Sequence, residues 1–501
     1  MITALNITPK GLPPLGSPHQ HRARDFRGVR SPDYAPGPRA MVRAGAIRLV
    51  WDEIAAIGLL LRVALAEDCD REKCVQQIIY LGGPRKHGPR PLLVPRLALL
   101  AVCILAPRLA YAQAVEPKVI TPVDLFLPEA SPGVRIAPAL VLKPGIDATV
   151  LHDTNIYNQA TNARSDTLAI VRPGLQLATD WSRHQLKLDA TADLRRYFRT
   201  PNENSEQWQI GGLASLDLAN RTKFEVSAEI ARRIELRGTA GDAFNTDRPV
   251  HFLEKRVAAQ IARTGGRLEL IGGGSLSRLN YGDASLNAVT IDLSGRDVVL
   301  RQAHVRANYR LGPKLGLFAD LSGNQVDYVT NPGTSRNSSG YGVLAGLHYQ
   351  VSALLDAEVA AGHIRQSFKD PLLRPVSGIN YAVTLNWTPT PRWKITAAGH
   401  RSIEPGPLAN VPAIVRSNFD LKVQRAVSDQ VLIEFGSGFV RESYRGLARN
   451  DNRYFGQVAV SYRLSSRLLA SVLGGYRKQN STEPGRSYDG FSAGLTLGLK
   501  L

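Results

Sequence analysis

Cysteine is nearly absent from this sequence, with 3 in 501 residues, and Cys69, Cys74 and Cys103 all precede residue 113. Beyond that point neither a disulfide framework nor a cysteine metal site can exist. Long apolar runs are missing too. A helix needs about twenty apolar residues to cross a bilayer, and no uncharged window of that length occurs, which excludes a polytopic helical membrane protein. It does not exclude a transmembrane β-barrel, whose strands alternate apolar and polar residues and average out as hydrophilic. Acidic residues are in deficit, 43 against 62 Lys and Arg, for a formal net charge of +19. The basic residues are scattered singly, without a recognisable module or basic-aromatic cluster, so nucleic acid is not an expected partner. With 44% apolar residues the chain is too hydrophobic to be disordered throughout.

Catalytic signatures are lacking as well. No G-x-S-x-G elbow or H-E-x-x-H stands beyond residue 112, and His152, His184, His251, His304, His348, His363 and His400 are scattered without a recurring partner. The glycine runs Gly211-Gly212 and Gly272-Gly273-Gly274 lie in strand-like context and read as kinks rather than phosphate cradles. The expectation is a protein that is not an enzyme, with no catalytic residue, no cofactor and no metal.

What is present divides near residue 112. Arg85, Lys86 and Arg90 form a positive region, Leu97 to Ala106 a short apolar core, and Ala110-Tyr111-Ala112 an A-x-A cleavage site before Gln113. Residues 84–112 thus read as a secretory signal peptide. Residues 1–83 read as a leader, from a start site placed too far upstream or a disordered extension. Residues 113–133 are punctuated by Pro117, Pro122, Pro128 and Pro132 and read as a periplasmic segment entering the domain that follows.

From residue 134 to 501 the pattern repeats strand, short turn, strand, long loop. Leu186, Leu188, Ala190, Ala192 and Leu194 alternate with Lys187, Asp189, Thr191, Asp193 and Arg195. The same period of two runs through Phe224–Ile230, Tyr341–Val351 and Ile379–Trp387, with one apolar and one polar face. Short links at 180–184, 219–222, 264–266, 312–314, 352–353, 388–392, 428–429 and 465–466 alternate with longer polar stretches near 153–165, 199–206, 235–250, 281–289, 328–340, 367–377, 402–413, 443–452 and 478–487. This predicts an all-β, closed, antiparallel up-and-down transmembrane barrel of about 18 strands, with short periplasmic turns and long extracellular loops. Aromatics fall in two rows on the apolar face. Phe224, Tyr309, Tyr349, Trp387, Trp393 and Tyr462 lie near short turns, and Phe198, Trp208, Phe439, Tyr454, Tyr476 and Phe491 near long loops, as interfacial girdles do. The final alternation from Phe491 to Leu501 resembles the signal read by the outer-membrane assembly machinery, with Leu501 in place of the usual Phe or Trp.

The run Pro144-Gly145-Ile146, His152-Asp153-Thr154-Asn155-Ile156-Tyr157-Asn158 and Val171-Arg172-Pro173-Gly174-Leu175 resembles the opening of the type-2 beta-barrel porins. The resemblance implies export through the Sec pathway to a Gram-negative outer membrane and association with exopolysaccharide loci. It assigns no role to Asp153 or Asn155.

A closed barrel of about eighteen strands leaves an aqueous lumen. Its expected lining includes Lys187, Asp189, Asp193, Arg195, Lys223, Glu225, Arg306, Arg310 and Lys422. Both signs occur with a cationic excess, which favours anionic solutes or an acidic polysaccharide. The expected function is a porin-like channel or the conduit of an exopolysaccharide export system, in contact with outer-membrane lipid and lipopolysaccharide. The alternative is a non-conducting structural or adhesive barrel.

Overall fold

The structure is a computed structural model describing residues 133–501, apart from 219–220, 243–245, 331–332 and 353, together with Val123 and Phe126. The leader, the signal-peptide reading and the cleavage site at Ala110, Ala112 and Gln113 lie outside the described residues.

A short strand, β1 (Val134–Ala137), leads into β2 (Leu140–Asp153), β3 (Asp166–Thr179), β4 (His184–Tyr197), β5 (Ser205–Leu218), β6 (Thr222–Ile234), β7 (His251–Gly265) and β8 (Leu268–Tyr281). A small hairpin of β9 (Ala284–Leu286) and β10 (Val289–Ile291) interrupts the order. The wall then resumes with β11 (Val298–Arg310), β12 (Leu315–Tyr328), β13 (Ser338–Ser352), β14 (Leu355–Phe368), β15 (Val376–Trp387) and β16 (Trp393–Pro405). It ends with β17 (Ala413–Ala426), β18 (Val431–Tyr444), β19 (Asn450–Arg463), β20 (Leu468–Ser481) and β21 (Tyr488–Lys500). Setting aside β1, β9 and β10, eighteen strands pair antiparallel with their chain neighbours, and β21 pairs with β2 from Gly145↔Lys500 to Asp153↔Ser492, closing the cylinder. Closure leaves no sheet edge exposed to lipid, where an unpaired backbone group has no water to bond.

The alternation sets which face points where. Ile379 is 68% exposed and Leu495 63%, while Leu188, Val305, Leu347 and Val472 are also exposed on the outer face. The opposite face carries the charges. Ion pairs there span intervening strands, such as Arg306 on β11 to Glu358 on β14 at 2.8 Å, a chord available only on the concave side.

Two features depart from a plain up-and-down reading. The long-loop ends of the strands run further than a membrane crossing needs: β16 continues to Pro405 and β20 to Ser481. A membrane-spanning strand needs about 9–11 residues, whereas β7 and β13 have 15 and β15 has 12. The excess lies beyond the apolar band, where both faces can be polar. Second, Pro173 has no N–H to donate, and the β3–β4 ladder breaks between Val171↔Leu194 and Gly174↔Thr191. Arg172 bridges the break through its side chain, its Nε donating to Asp193 at 2.7 Å.

Candidate functional site

The polar inner face is built by period two and then by pairing. Asp193 on β4 accepts from Arg172 and from Arg195, each Nε at 2.7 Å. Lys223 reaches Glu225 at 2.9 Å, with Ser215 donating to the same carboxylate. Arg306 contacts Glu358, donates from Nε to Asn308 and lies 3.9 Å over the Phe318 ring. Lys422 pairs with Glu434 at 3.0 Å. Asp189 borders Gly211, where no side chain stands between them. Among the described residues, Lys187 and Arg310 have no ion pair. Thus Arg195, Arg306, Lys223 and Lys422 are neutralised by partners, and among the described residues the cationic members of this group without an ion pair are Lys187 and Arg310, opposed by Asp189 alone.

At the short-turn end, Val123 and Phe126 lie inside the barrel. They pack on Ala426, Leu432 and Leu469 of the inner face, and the Arg463 guanidinium sits 5.9 Å from the Phe126 ring. The lumen is therefore occupied there by part of the segment that precedes the wall.

The long-loop end is closed by a different device. Strands β15 and β16 pair only from Ala382↔His400 to Trp387↔Ile395. Above that level β16 stays paired to β17 up to Pro405↔Ala413. Ile403, Ala413 and Val415 share a strand face with lipid-facing Phe419 and Leu421. Yet Ala413 and Val415 are buried, packed with Ile403 against Phe368 and Val376 of β14 and β15, whose side chains belong to the inner face. The top of the β16–β17 hairpin is consequently folded into the mouth, behind β15. Its tip meets loop 235–250, which comes from the opposite side of the barrel: Ala240 packs with Val411, Ile414 and Tyr444. A Cβ on Gly406 would stand 1.8 Å from the Val411 carbonyl oxygen, so the tight tip requires glycine.

Buried charges hold this cap. Arg336 donates to the carbonyls of Gly406, Leu408 and Gly295 at 2.9, 3.0 and 2.6 Å and stacks on Tyr328, whose hydroxyl also donates to Gly406. Burial pushes its guanidinium below the usual arginine range. Arg237 pairs with Glu203 at 2.6 Å and Asp242 at 3.3 Å. Burial alone would depress it, but the two carboxylates more than offset that and raise it. Arg296 pairs with Glu235, and Arg486 donates to the Asp242 carbonyl at 2.7 Å.

The motif from His152 to Asn158 finds its role here. Arg477 donates to Asp153 at 2.8 Å and to Asn158 at 2.7 Å. Asn155 donates to the Asp489 carbonyl at 2.9 Å, and Asn158 to the Arg237 carbonyl at 2.7 Å. The motif clasps the first strand to the last two and to loop 235–250. None of Arg237, Arg336 or Arg477 was an expected site residue. Arg477 could have been found from alternation on β20, whereas Arg237 and Arg336 stand in loops with no periodic signal.

A protein family described as "Putative beta-barrel porin 2" matches residues 133–501. No curated protein matches the sequence. Among solved structures, the chain is similar to a mutant ferric enterobactin receptor, PfeA, of Pseudomonas aeruginosa, with 9% identity over 72% of this chain and 80% of that one and a TM-score of 0.38. It is also similar to the FrpB iron transporter of Neisseria meningitidis in its apoprotein form, with 8% identity, 72% and 81% coverage and a TM-score of 0.41. Acinetobacter baumannii OccAB4 gives 7% identity, 72% and 98% coverage and a TM-score of 0.39.

Proposed function

Because the chain belongs to the family described as putative beta-barrel porin 2, and is a porin-like outer-membrane barrel, we propose that it is a gated channel for anionic solutes, with an acidic exopolysaccharide as the leading candidate. The observation that carries this reading is the continuous polar inner face within an eighteen-strand wall, too wide to be filled by its own side chains. The unpaired Lys187 and Arg310 supply the anion preference. We further propose Sec export, insertion by the outer-membrane assembly machinery, and an orientation with long loops outside the cell.

The closed mouth favours a second reading, a non-conducting structural or adhesive barrel. Planar-bilayer recording separates the two. The wild type should conduct in rare openings, Arg336→Ala should conduct steadily, and Lys187→Gln with Arg310→Gln should lower anion preference in the Arg336→Ala background. If neither wild type nor Arg336→Ala conducts, the channel reading fails and the structural one stands.

A further inference from the structure

One sector of the inner wall is stripped of side chains around an aromatic ring. Phe455 on β19 alternates with the exposed, lipid-facing Tyr454 and Val458 and so stands on the lumen side. Its direct partner across the β18–β19 ladder is Gly438. A Cβ on Gly438 would stand within 2.6 Å of the Phe455 Cζ, Cε1 and Cε2 atoms alike. A point in the ring plane beyond Cζ would be distinctly further from both Cε atoms, so Gly438 lies beneath the face of the ring. The ring is laid on bare backbone, as glycine alone permits. Its second face points into the lumen. The same device recurs elsewhere on the inner wall, where Phe318 reaches over its partner Gly346. There the second face is taken, because the Arg306 guanidinium lies 3.9 Å over the ring and Phe318 is buried. Phe455 is not buried. Its neighbouring cations are held elsewhere: Arg477, its partner on β20, donates to Asp153 and Asn158, and Arg453 pairs with Glu442.

The wall beside the ring is low. Gly436 and Gly475 are the direct partners of Gln457, the next residue on the same face of β19. Gln457 is exposed and its side chain leans over Gly436. On the far side of Gly436 stands Lys422, paired with Glu434 at 3.0 Å. A flat apolar face is thus bordered by an amide, an ammonium and a carboxylate, which between them donate to and accept from hydroxyls. The π face of an aromatic ring is electronegative, so it repels a bare anion and attracts polarised C–H groups. A ligand matching this site has a flat patch of C–H groups and a rim of hydroxyls, which describes a pyranose ring. We propose that Phe455 is a stacking platform for a pyranose unit of a saccharide in the lumen, with Gln457 and the Lys422–Glu434 pair bonding its hydroxyls. This deepens the channel reading and rests on it, since the saccharide must reach the lumen, and it makes the preferred solute a sugar polymer rather than a small ion.

The test is planar-bilayer recording of the Arg336→Ala protein, with hexagalacturonate as probe and hexaglutamate, of like charge without sugar rings, as control. Hexagalacturonate should block the current in resolved events that outlast those of hexaglutamate. Phe455→Leu still covers Gly438 but has no flat face, and it should shorten the hexagalacturonate events about tenfold. Phe455→Met serves if that variant does not assemble. Phe455→Tyr should keep the long events and Gln457→Ala should shorten them to a lesser degree. Phe491→Leu, on the lipid face, should leave them unchanged. Equal blocks by the two probes, or events in Phe455→Leu as long as in its parent, overturn the platform. Conductance without those differences removes the site and leaves the channel, whereas absent conductance removes the channel reading and the site with it.

Discussion

Glu442 has no exposed surface, yet it is surrounded by charge: Arg416 and Arg453 both contact it, Arg453 at 2.7 Å, and the Tyr444 hydroxyl donates at 3.2 Å. Removing one partner of a buried pair leaves an uncompensated charge, at a cost of about 3–5 kcal/mol. Exposed pairs such as Arg135 with Asp180 contribute at most about 1 kcal/mol. Glu442→Gln should therefore lower unfolding stability in urea by several times the loss seen for Asp180→Asn, and equal losses would deny Glu442 its structural role. Asp247 makes the residue-scale case for pH. The backbone N–H groups of Asn287 and Ala288, with the Ser285 hydroxyl, hold its carboxyl below the ordinary value of 3.8. A lowered carboxyl stabilises fully above its ordinary value and loses that contribution as pH falls through the lowered one. Proteolysis within loop 235–250 should accordingly rise with acidification below 3.8, and Asp247→Asn should show the faster cleavage already at neutral pH. A variant with wild-type cleavage at both pH values would show that this clamp does not hold the loop.

In the proposed channel, the element that decides permeability is the β16–β17 hairpin. Its inward fold is possible because β15 and β16 unzip above Ala382↔His400, so the hairpin can move without tearing a ladder already formed. Hydrophobic contact at the tip and the Arg336 bonds to three carbonyls oppose that movement. Since residues 113–501 contain no cysteine, Ala240→Cys with Val411→Cys gives a single engineered crosslink across the mouth. Oxidation should abolish conductance of the Arg336→Ala background and reduction should restore it. Conductance that persists with the crosslink formed would mean that ions bypass the hairpin.

At the scale of the molecule, the barrel was legible because lipid and lumen impose opposite chemistry on successive residues. Leu188 beside Lys187 and Val305 beside Arg306 state the two faces directly, and turn lengths state the strand count. The cap was not legible, for a physical reason. Ile403, Ala413 and Val415 continue the alternation of lipid-facing residues, and nothing local reveals that Phe368 and Val376, rather than lipid, cover them. Arg237 and Arg336 likewise read as solvated loop residues until tertiary contacts bury them. The same asymmetry of turns that revealed the strand count also sets the last prediction. Nine long links lie at one end and eight short ones at the other. Long loops tolerate polar insertions and carry contacts with partners, and the orientation proposed above places them at the cell surface. Leu372, in loop 369–375, is 80% exposed, and Thr390 lies in the exposed turn between β15 and β16. On whole cells, Leu372→Cys should react with an impermeant maleimide and Thr390→Cys should react only after the outer membrane is breached. Labelling of Thr390→Cys on intact cells with Leu372→Cys protected would invert the barrel, placing the Arg336 latch on the periplasmic side and the Val123 and Phe126 contacts at the surface.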